Sequence, residues 1–335
     1  MRAIEYRGPG AVALTERVAP EPRLGEVLVA NDFAGICGSD LGIIAGTNPR
    51  VVVGQILGHE SVATVRALGE GVTGLAVGDT VVPMPLISCG TCRPCLSGAD
   101  YICEDLGLYG VDQPGALADR TVYPASVLYP IPPSVPKESA VLVEPLAVAV
   151  HAVARSGLRP GETVLVVGGG PVGTLCALVA AGAGSPVIVI EPNEHRREML
   201  ADLELTAFRE ASADAAGFVD RRPGGGFDVV FEAAGIPVTA DLALRETRVL
   251  GRTVIVGLQK GVVPFDLRAV NRLERTVIGS RVYDRPDFAR AVELLATGDI
   301  DLSRFPRAVF DLSESAAALA EARSGSRSFK TLFAL

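Results

Sequence analysis

Residues 147–283 alternate between short apolar runs and longer stretches rich in Ala and Leu, and this alternation constrains the fold more than any other feature of the chain. The apolar runs lie at 164–167, 187–190, 229–231 and 254–256. Continuous apolar strands that are separated by helices are typical of a parallel sheet covered on both faces. We therefore predict an α/β domain with a doubly wound parallel sheet for residues 147–283.

A glycine-rich turn follows the first of these apolar runs. Its glycines are Gly168, Gly170 and Gly173, and Pro171 and Val172 lie between the last two. Without Cβ atoms the turn can be tight and can approach a pyrophosphate, and Pro171 suits the first turn of a helix, where free N–H groups bind phosphate. A glycine triplet can also be a linker, but a strand before it and a helix after it favour a dinucleotide site in a Rossmann domain.

The acid that ends the next apolar run bears on the choice of dinucleotide. A carboxylate at the position of Glu191 accepts hydrogen bonds from ribose hydroxyls and repels a 2′-phosphate. This favours NAD over NADP. Arg196 and Arg197 follow closely, and either could pair with a 2′-phosphate or lie on a solvated helix face, so NADP stays the alternative.

Four cysteines lie within fifteen residues, at Cys89, Cys92, Cys95 and Cys103. Three of them are separated by two residues each, so a short loop can direct all the sulfurs to one point. A closed tetrahedral zinc site requires this arrangement and leaves no coordination position for chemistry. Two disulfides or four core cysteines are the alternatives. We predict a structural zinc ion that stabilises the fold.

A second metal site is indicated by Cys37 and by His59, one of only three histidines in the chain. A thiolate and an imidazole suit zinc, and a catalytic zinc site has three protein ligands and one exchangeable position. Glu144 is our choice for the third ligand, because a carboxylate among Ala, Val and Leu is costly to bury unless it is paired or bound to a metal. The prediction is an open, catalytic zinc site.

The other histidines and one further cysteine are assigned simpler roles. His151 lies seven residues after Glu144, and we predict a histidine at a domain interface. His195 is expected to be exposed beside the arginines. Cys176 follows the glycine-rich turn and is predicted to be a core residue.

The rest of the chain has a different pattern. Residues 1–146 contain short β-like runs at 27–29, 61–65, 80–82 and 121–123, which are broken by Gly and Pro. This spacing predicts an irregular, mostly antiparallel domain. Residues 284–335 contain two helix-like stretches, at 288–296 and 314–322, and a closing strand.

Taken together, these motifs resemble the zinc-dependent medium-chain alcohol dehydrogenases over essentially the whole chain. Cys-Gly-Ser-Asp at 37–40 and Glu-Pro-Leu at 144–146 are similar to the branch of the sorbitol, butanediol and threonine dehydrogenases. The resemblance implies a mostly-β, GroES-like catalytic domain that is discontinuous in sequence (1–146 and 284–335) and a Rossmann domain (147–283). It also implies a homo-oligomer, a dimer or a tetramer.

The resemblance further implies roles for individual residues around the catalytic zinc. Glu144 would be the third protein residue at the metal, directly or through water, and Glu60 a second carboxylate that approaches as ligands exchange. Asp40 would orient the zinc-binding histidine, which fixes its tautomer. Ser39 would accept the alcohol proton. The branch commonly has a histidine where this chain has Gly42, so the onward proton route must use the cofactor ribose and water.

The implied function is a reversible, NAD-dependent oxidation of a secondary alcohol to a ketone, with two zinc ions per chain. The implied substrate is a small polyol, cyclitol or aminopolyol. Segment 41–57, which should line the pocket mouth, has Arg50 as its only charge and no aromatic residue, so a long apolar alcohol is disfavoured. Arg50 and Arg281 are predicted to be surface or interface charges. A metal-free reductase of this fold and a non-catalytic NAD-binding scaffold are the alternatives.

Composition excludes several other functions. The net charge is −8 without a long basic run, and aromatic residues make up only 5% of the chain, which argues against nucleic acid as a partner. No apolar stretch approaches the ~20 residues that span a bilayer, and residues 1–6 lack the core of an export signal. Few cysteines lie outside the cluster, which suits a reducing compartment. We expect a cytoplasmic enzyme with a small-molecule substrate.

Overall fold

The computed structural model describes residues 1–210, 225–259, 261–325 and 327–335. The strands are β1 (Arg2–Gly8), β2 (Ala11–Glu16), β3 (Glu26–Ile36), β4 (Glu60–Leu68), β5 (Thr80–Pro83), β6 (Leu86–Ile87), β7 (Gly107–Leu108), β8 (Arg120–Pro124), β9 (Leu128–Pro130), β10 (Val164–Val167), β11 (Val187–Ile190), β12 (Thr206–Phe208), β13 (Phe227–Glu232), β14 (Thr247–Ile255), β15 (Thr276–Gly279), β16 (Arg307–Asp311) and β17 (Lys330–Ala334). The helices are α1 (Gly38–Ile44), α2 (Arg93–Leu96), α3 (Lys137–Ala140), α4 (Val143–Ser156), α5 (Pro171–Gly182), α6 (Glu194–Asp202), α7 (Pro237–Glu246), α8 (Leu267–Arg272), α9 (Arg285–Thr297) and α10 (Ser315–Ser324).

The chain divides into two compact units. Unit 1 comprises Met1–Glu144 and Ala291–Leu335, and unit 2 comprises Pro145–Arg290. The sequence predicts the boundaries at 146/147 and 283/284, whereas the structure places both crossings inside helices α4 and α9. A continuous helix has no Gly- or Pro-rich break, so no sequence signal marks these crossings.

Unit 2 contains the predicted parallel sheet. Its strand order is β12-β11-β10-β13-β14-β15, and every neighbouring pair is parallel. This is the Rossmann order 3-2-1-4-5-6, in which the strand order reverses between β10 and β13 and ligands bind at the carboxyl ends of the strands. Strands β10 and β11 coincide with the predicted apolar runs at 164–167 and 187–190. The doubly wound fold is confirmed.

Unit 1 is built around a seven-stranded sheet. Its order is β16-β17-β3-β4-β5-β9, and β8 also pairs with β3. All these pairs are antiparallel except β16 with β17, as the short β-like runs predict. Ile43, Leu57 and Phe333 are fully buried in the core beside this sheet. Burial of side chains of this size stabilises the fold by roughly 1.5–3 kcal/mol each.

Strand register decides which residues meet at one end of the unit 1 sheet. Gly35 of β3 lies opposite Glu60 of β4, and Ile36 of β3 lies opposite Thr331 of β17. Cys37 follows β3 directly. The ends of three strands that are distant in sequence are thus adjacent in space.

Among the described residues, no helix is both long enough and apolar enough to cross a membrane.

Candidate metal centres and cofactor-binding turn

The four clustered cysteines converge as predicted. The sulfur of Cys92 lies 3.3 Å from that of Cys95 and 3.8 Å from that of Cys103, and the sulfurs of Cys89 and Cys95 are 4.0 Å apart. In a tetrahedral site with zinc–sulfur bonds of about 2.3 Å, the sulfurs are separated by about 3.8 Å. No disulfide links the cysteines. The geometry therefore fits a closed zinc site.

The electrostatics of this loop also fit a bound cation. The hydroxyl and N–H of Thr91 and the N–H of Cys92 lower the pKa of Cys89 to about 6. Burial and the hydrogen bond with Cys92 raise the pKa of Cys95 to about 12. Four thiolates this close together repel one another, and a divalent cation offsets that repulsion.

A second group consists of Cys37, His59 and Glu60, whose ligand atoms lie within 4.8 Å of one another. Cys37 is the N-cap of α1, and Glu60 begins β4. His59 follows Gly58, whose φ is +91° and whose added Cβ would lie 2.6 Å from Cγ of Leu117. Only glycine suits this turn, which directs the imidazole to the end of β3.

Asp40 lies beside the imidazole of His59, and the orienting role that the family resemblance implies for it stays a prediction. Oδ2 of Asp40 accepts the N–H of Cys37 at 2.8 Å, and Oδ1 lies 3.6 Å from Nδ1 of His59. Burial lowers the pKa of His59, but Asp40 and the Cys37 thiolate outweigh it and hold the pKa well above its ordinary value. Nε2 of His59 points to the opposite side, where Oγ of Ser39 lies 3.5 Å away.

The buried polar atoms of this centre show that a metal ion suits it. Oδ1 of Asp40 and Nδ1 of His59 make no hydrogen bond with any residue that the structure describes. Leaving buried polar atoms unpaired costs about 1–3 kcal/mol each. A zinc ion on Nε2 would require a neutral His59, whose Nδ1–H would then donate to Asp40. Cys37 and His59 thus fit zinc.

Glu144 lies outside that three-residue group. Its side chain is buried in the first turn of α4. Its charge raises the pKa of Lys330, which also lies near Glu60 and Cys37. Glu144 is therefore part of the same electrostatic environment, and its role as the third zinc ligand stays a prediction.

Lys330 is a site residue that the sequence interpretation missed. This lysine of β17 is buried and forms an ion pair and a hydrogen bond with Glu60. Burial lowers its pKa, but Glu60 and Cys37 outweigh that effect and raise it above its ordinary value. The available signal was a single cation in an otherwise largely apolar closing strand, since buried lysines are rare unless they are paired.

The glycine-rich turn has the geometry that a dinucleotide requires. Gly168 follows β10 with φ +103°, and α5 begins at Pro171 with Gly170 as its N-cap. A Cβ on Gly173 would overlap the carbonyl oxygen of Gly168, so only glycine permits this packing. A Cβ on Gly170 would meet no atom within 4 Å. The open side at Gly170, followed by Val172 in the first turn, fits a pyrophosphate.

Glu191 is buried beside this turn, where it hydrogen-bonds to two main-chain groups. Oε2 accepts the N–H of Gly169 and Oε1 accepts the N–H of Asn193, each at 2.9 Å. Nη1 of Arg196 lies 3.8 Å from Oε2, and Arg197 donates to the carbonyl oxygen of Glu191 at 2.9 Å. Glu191 therefore holds a negative charge next to the turn and also fixes its conformation.

A second buried carboxylate lies at the end of the neighbouring strand β13. Oε1 of Glu232 accepts hydrogen bonds from the N–H groups of Ala234 and Gly235 and from the hydroxyl of Thr239, and Gln259 donates to Oε2. These contacts organise the chain where the strand order reverses. The sequence interpretation missed this residue, although it ends an apolar strand just as Glu191 does.

The remaining predicted residues have structural surroundings. Nδ1 of His151 lies 2.5 Å from Oδ2 of Asp287, and Oδ1 of Asp284 accepts the N–H of Asp287. These two contacts account for the positions of His151, Asp284 and Asp287. The interface role of His151 stays a prediction. His195 is exposed and Cys176 is fully buried, as predicted.

Arg50, the only charged residue in segment 41–57, makes two polar contacts within unit 1. Its Nη1 donates to the carbonyl oxygen of Leu106 at 2.8 Å and lies 3.4 Å from Oδ2 of Asp112. Gly42 is held by Thr47, whose hydroxyl donates to its carbonyl oxygen. Arg50 is thus a structural charge.

A mostly antiparallel unit with two groups that could hold a metal ion, together with a parallel unit that has a glycine-rich turn after its first strand, is typical of one class, the metal-dependent dehydrogenases. Two family models match the chain, the alcohol dehydrogenase GroES-like domain over residues 23–133 and the zinc-binding dehydrogenase over residues 171–297. The chain belongs to the zinc-dependent medium-chain alcohol dehydrogenase family, whose members are oxidoreductases that act on CH–OH donors. The GroES-like prediction for unit 1 is confirmed.

Similar proteins cover nearly the whole chain. A 2-dehydro-3-deoxy-L-galactonate 5-dehydrogenase of Pseudoalteromonas atlantica is 38% identical, over 99% of this chain and 98% of its own. D-xylulose reductase A of Aspergillus oryzae is 34% identical, over 96% and 93%. A crystal structure of a protein described as a zinc-binding dehydrogenase from Sinorhizobium meliloti, bound to NADP, has a TM-score of 0.90 and 28% identity, over 100% of this chain and 99% of that one.

Proposed function

We propose that the chain is an NAD-dependent dehydrogenase with two zinc ions, which reversibly oxidises a secondary alcohol of a small polyol, cyclitol or aminopolyol to the ketone. The observation that carries this proposal is the convergence of Cys37, His59 and Glu60, with Asp40 beside His59. The names of the two enzyme relatives support a polyhydroxylated substrate, because both indicate the interconversion of a hydroxyl and a ketone on a sugar-derived chain.

The residues around His59 would have two roles in alcohol oxidation, metal binding and proton transfer. Cys37, His59 and Glu144 would hold the catalytic zinc. A bound zinc ion supplies Lewis acidity, which lowers the pKa of a hydroxyl toward neutrality. Ser39 is exposed, and its Oγ lies 3.5 Å from Nε2 of His59, so it is placed to accept the substrate proton. With Gly42 in place of a histidine, the proton would leave through the cofactor ribose and water.

The cofactor would be held by the turn from Gly168 to Gly173 and by Glu191. The nicotinamide supplies the hydride-accepting chemistry, and the protein supplies orientation and electrostatics. The charge of Glu191, fixed by Gly169 and Asn193, favours NAD because it repels a 2′-phosphate. Arg196 opposes this effect, and the similar Sinorhizobium meliloti structure holds NADP, so the preference requires a direct measurement.

The composition of segment 41–57 supports a small and polar substrate. Arg50 is bound to Leu106 and Asp112 within unit 1, so it adds no anion-binding group. The segment has no aromatic side chain with which to cover a long or aromatic alcohol. A small polyol or aminopolyol fits these properties better than a long-chain or aromatic alcohol.

We infer that the enzyme forms homo-oligomers. Strand β15 lies at the edge of the unit 2 sheet, and its outer side pairs with no strand among the described residues. Three apolar side chains in this part of the chain are exposed: Val277 on β15, Leu267 at the start of α8, and Val262 before that helix. An unpaired strand edge with exposed apolar residues favours association with another chain.

The six unlinked cysteines support a cytoplasmic location.

A substrate panel combined with a zinc assay tests the proposed function. The panel contains polyols, aminopolyols, simple secondary alcohols, threonine and long primary alcohols, and NADH absorbance reports turnover. We expect two zinc ions per chain and the highest kcat/KM with a polyol or aminopolyol. Preference for a long primary alcohol would exclude the proposed substrate class. One zinc ion per chain and no turnover would favour a non-catalytic scaffold, and turnover of activated double bonds would favour a metal-free reductase.

A further inference from the structure

The three residues before His59, at 56–58, are not part of the seven-stranded sheet of unit 1. They lie between α1 and β4, outside both elements. Their carbonyl oxygens instead accept hydrogen bonds, each at 2.9 Å, from three consecutive main-chain N–H groups: Gly115 donates to Ile56, Leu117 to Leu57 and Ala116 to Gly58. A second segment of the chain, residues 110–117, therefore fixes the main chain that leads to His59.

The two segments lie so close together that segment 110–117 has no room for side chains at two positions. Gly115 is buried, and a Cβ there would overlap the carbonyl oxygens of Leu57 and Gly58. A Cβ at Gly110 would lie 2.5 Å from the carbonyl oxygen of Gly58. Main chain therefore packs directly on main chain, which glycine permits. A side chain at position 115 would displace the peptide units that precede His59.

Leu117 adds a side-chain contact to this main-chain packing. It is buried in the core beside the sheet, and a Cβ added to Gly58 would lie 2.6 Å from its Cγ. The N–H of Ile4 in β1 donates to the carbonyl oxygen of Leu117 at 2.8 Å. Segment 110–117 is thus attached to β1 and to the core, so it can support the residues that contact it.

We propose that segment 110–117 positions His59 for metal binding, with Gly115 and Leu117 as its positioning residues. The segment sets where the imidazole lies relative to Cys37 and Glu60, and it thereby determines how firmly this centre holds its metal ion. None of its residues belongs to the group of possible ligands, so it acts only through the main chain before His59. This inference rests on the proposed catalytic zinc site.

The end of strand pairing explains why His59 needs this support. The pairing of β3 with β4 ends at Glu60, and His59 lies one residue earlier, after the turn at Gly58 with φ +91°. Contacts outside the sheet must therefore hold the turn. A metal site requires its ligands within about 0.5 Å of their productive positions, so a displaced turn weakens metal binding.

Two matched glycine variants test the inference through zinc release. Gly115→Ala places a methyl group against the main chain before His59. Gly69→Ala is the control, because its Cβ would overlap the carbonyl oxygen of Arg23 at the other end of β4, about 30 Å from the centre. Wild type and both variants are loaded with zinc, and a chromogenic chelator follows the release of each ion.

The two variants should differ in the labile zinc alone. We expect Gly115→Ala to release it about tenfold faster than wild type, with the tightly bound zinc unaffected. Gly69→Ala should lower the Tm but release both ions at the wild-type rates, within about twofold, because its site is distant. Equal release of the labile zinc by Gly115→Ala and wild type would overturn the inference.

A pair of leucine variants decides the question if Gly115→Ala does not fold. Leu117→Ala removes the side chain that contacts Gly58, whereas Leu312→Ala removes a fully buried leucine of the same core cluster. Both should lower the Tm. Leu117→Ala alone should speed release of the labile zinc, by about threefold to tenfold. Equal release rates in these two variants would contradict the positioning role.

The proposed function and this inference can fail separately. Two zinc ions and turnover in wild type, with no difference in zinc release between the matched variants, would contradict only the positioning role. A wild type that binds only one, tightly held zinc ion would contradict the catalytic site itself, and this inference with it.

Discussion

The four-cysteine loop and the Cys37–His59–Glu60 centre are both groups in unit 1 that could hold a metal ion, but they are built in opposite ways. The loop is local in sequence, and its thiols accept hydrogen bonds from neighbouring main-chain N–H groups. The centre gathers its residues from the end of β3 and the start of β4, with Lys330 of β17 in contact with Glu60. Nδ1 of His59 and the neighbouring Oδ1 of Asp40 have no hydrogen-bond partner among the described residues.

This difference suggests how zinc could stabilise the fold at one group and take part in a reaction at the other. A local loop whose donors are all alike forms a closed site, and the binding free energy of the metal becomes folding free energy. A centre that joins several strands has its scaffold fixed by the sheet. It can therefore leave ligand positions incomplete without unfolding. The first kind of site stabilises, and the second can react.

The largest expected effect sharpens this comparison at the reactive centre. Cys37→Ser should lower kcat/KM by at least about a thousandfold, since the metal's Lewis acidity contributes several kcal/mol to transition-state stabilisation. The fold should persist because the sheet does not depend on this ligand. Turnover, circular dichroism and NADH titration check the prediction. Retention of full turnover would contradict the catalytic-zinc assignment, and Cys176→Ser serves as a matched control for loss of a thiol.

The loop should respond in the reverse manner. Cys103→Ser should lower the Tm by on the order of 10 °C, because loss of a structural zinc ligand removes folding free energy. Calorimetry and zinc content provide the measurement. Residual activity per folded molecule should stay near the wild-type value below the transition. A variant that keeps its Tm but loses turnover would reverse the roles of the two groups.

Two glycines of the glycine-rich turn in unit 2 can be compared in the same way, because Gly173 is packed against the main chain and Gly170 faces open space. Gly170→Val should weaken NADH binding roughly a hundredfold with little change in Tm, because its side chain enters the space meant for the pyrophosphate. Gly173→Ala should instead lower the Tm, because its Cβ would overlap the Gly168 carbonyl. Fluorescence titration and thermal melts separate the two effects. Equal behaviour of the two variants would contradict the assignment.

The smallest expected effect concerns cofactor choice. Glu191→Gln keeps an oxygen acceptor for Gly169 but removes the charge, so the ratio of kcat/KM for NAD over NADP should fall by about fivefold to tenfold. Glu191→Ala also removes the hydrogen bonds to Gly169 and Asn193 and should weaken both cofactors. Because Glu191→Gln also loses the acceptor for the N–H of Asn193, the effect of charge is measured by the NAD-to-NADP ratio, and an equal weakening of both cofactors is assigned to the lost hydrogen bond. A wild-type enzyme that prefers NADP would overturn the interpretation of Glu191.

Local patterns made most of the fold predictable from the sequence. The runs at 164–167 and 187–190, the glycine-rich turn and the cysteine loop are each contained in a few consecutive residues, and each forms as predicted. The crossings between the two units lie within α4 and α9, a few residues from the predicted boundaries, and no sequence signal marks them because the helices run through them without a break. Periodicity carries no information about contacts between units.

The candidate site was predictable only where its residues had a distinctive type or spacing. Cys37 and His59 are rare residues in this chain, so they stood out. Lys330 and Glu232 did not, because Lys and Glu are common and their importance lies in burial and pairing that depend on strand register. The register that brings β17 beside β3 links residues about three hundred positions apart, and no local signal reports it.

The position of β17 in the chain has a consequence for the order of folding during synthesis. Residues 145–290 form the whole of unit 2 and leave the ribosome before β17 does. The cysteine loop can bind its metal early, because its ligands are close in sequence. In the sheet of unit 1, by contrast, β8 can pair with residues 26–30 of β3, but residues 33–36 have no partner on one side until β17 has been made. The contact between Lys330 and Glu60 is thus made last, after unit 2 can already have folded.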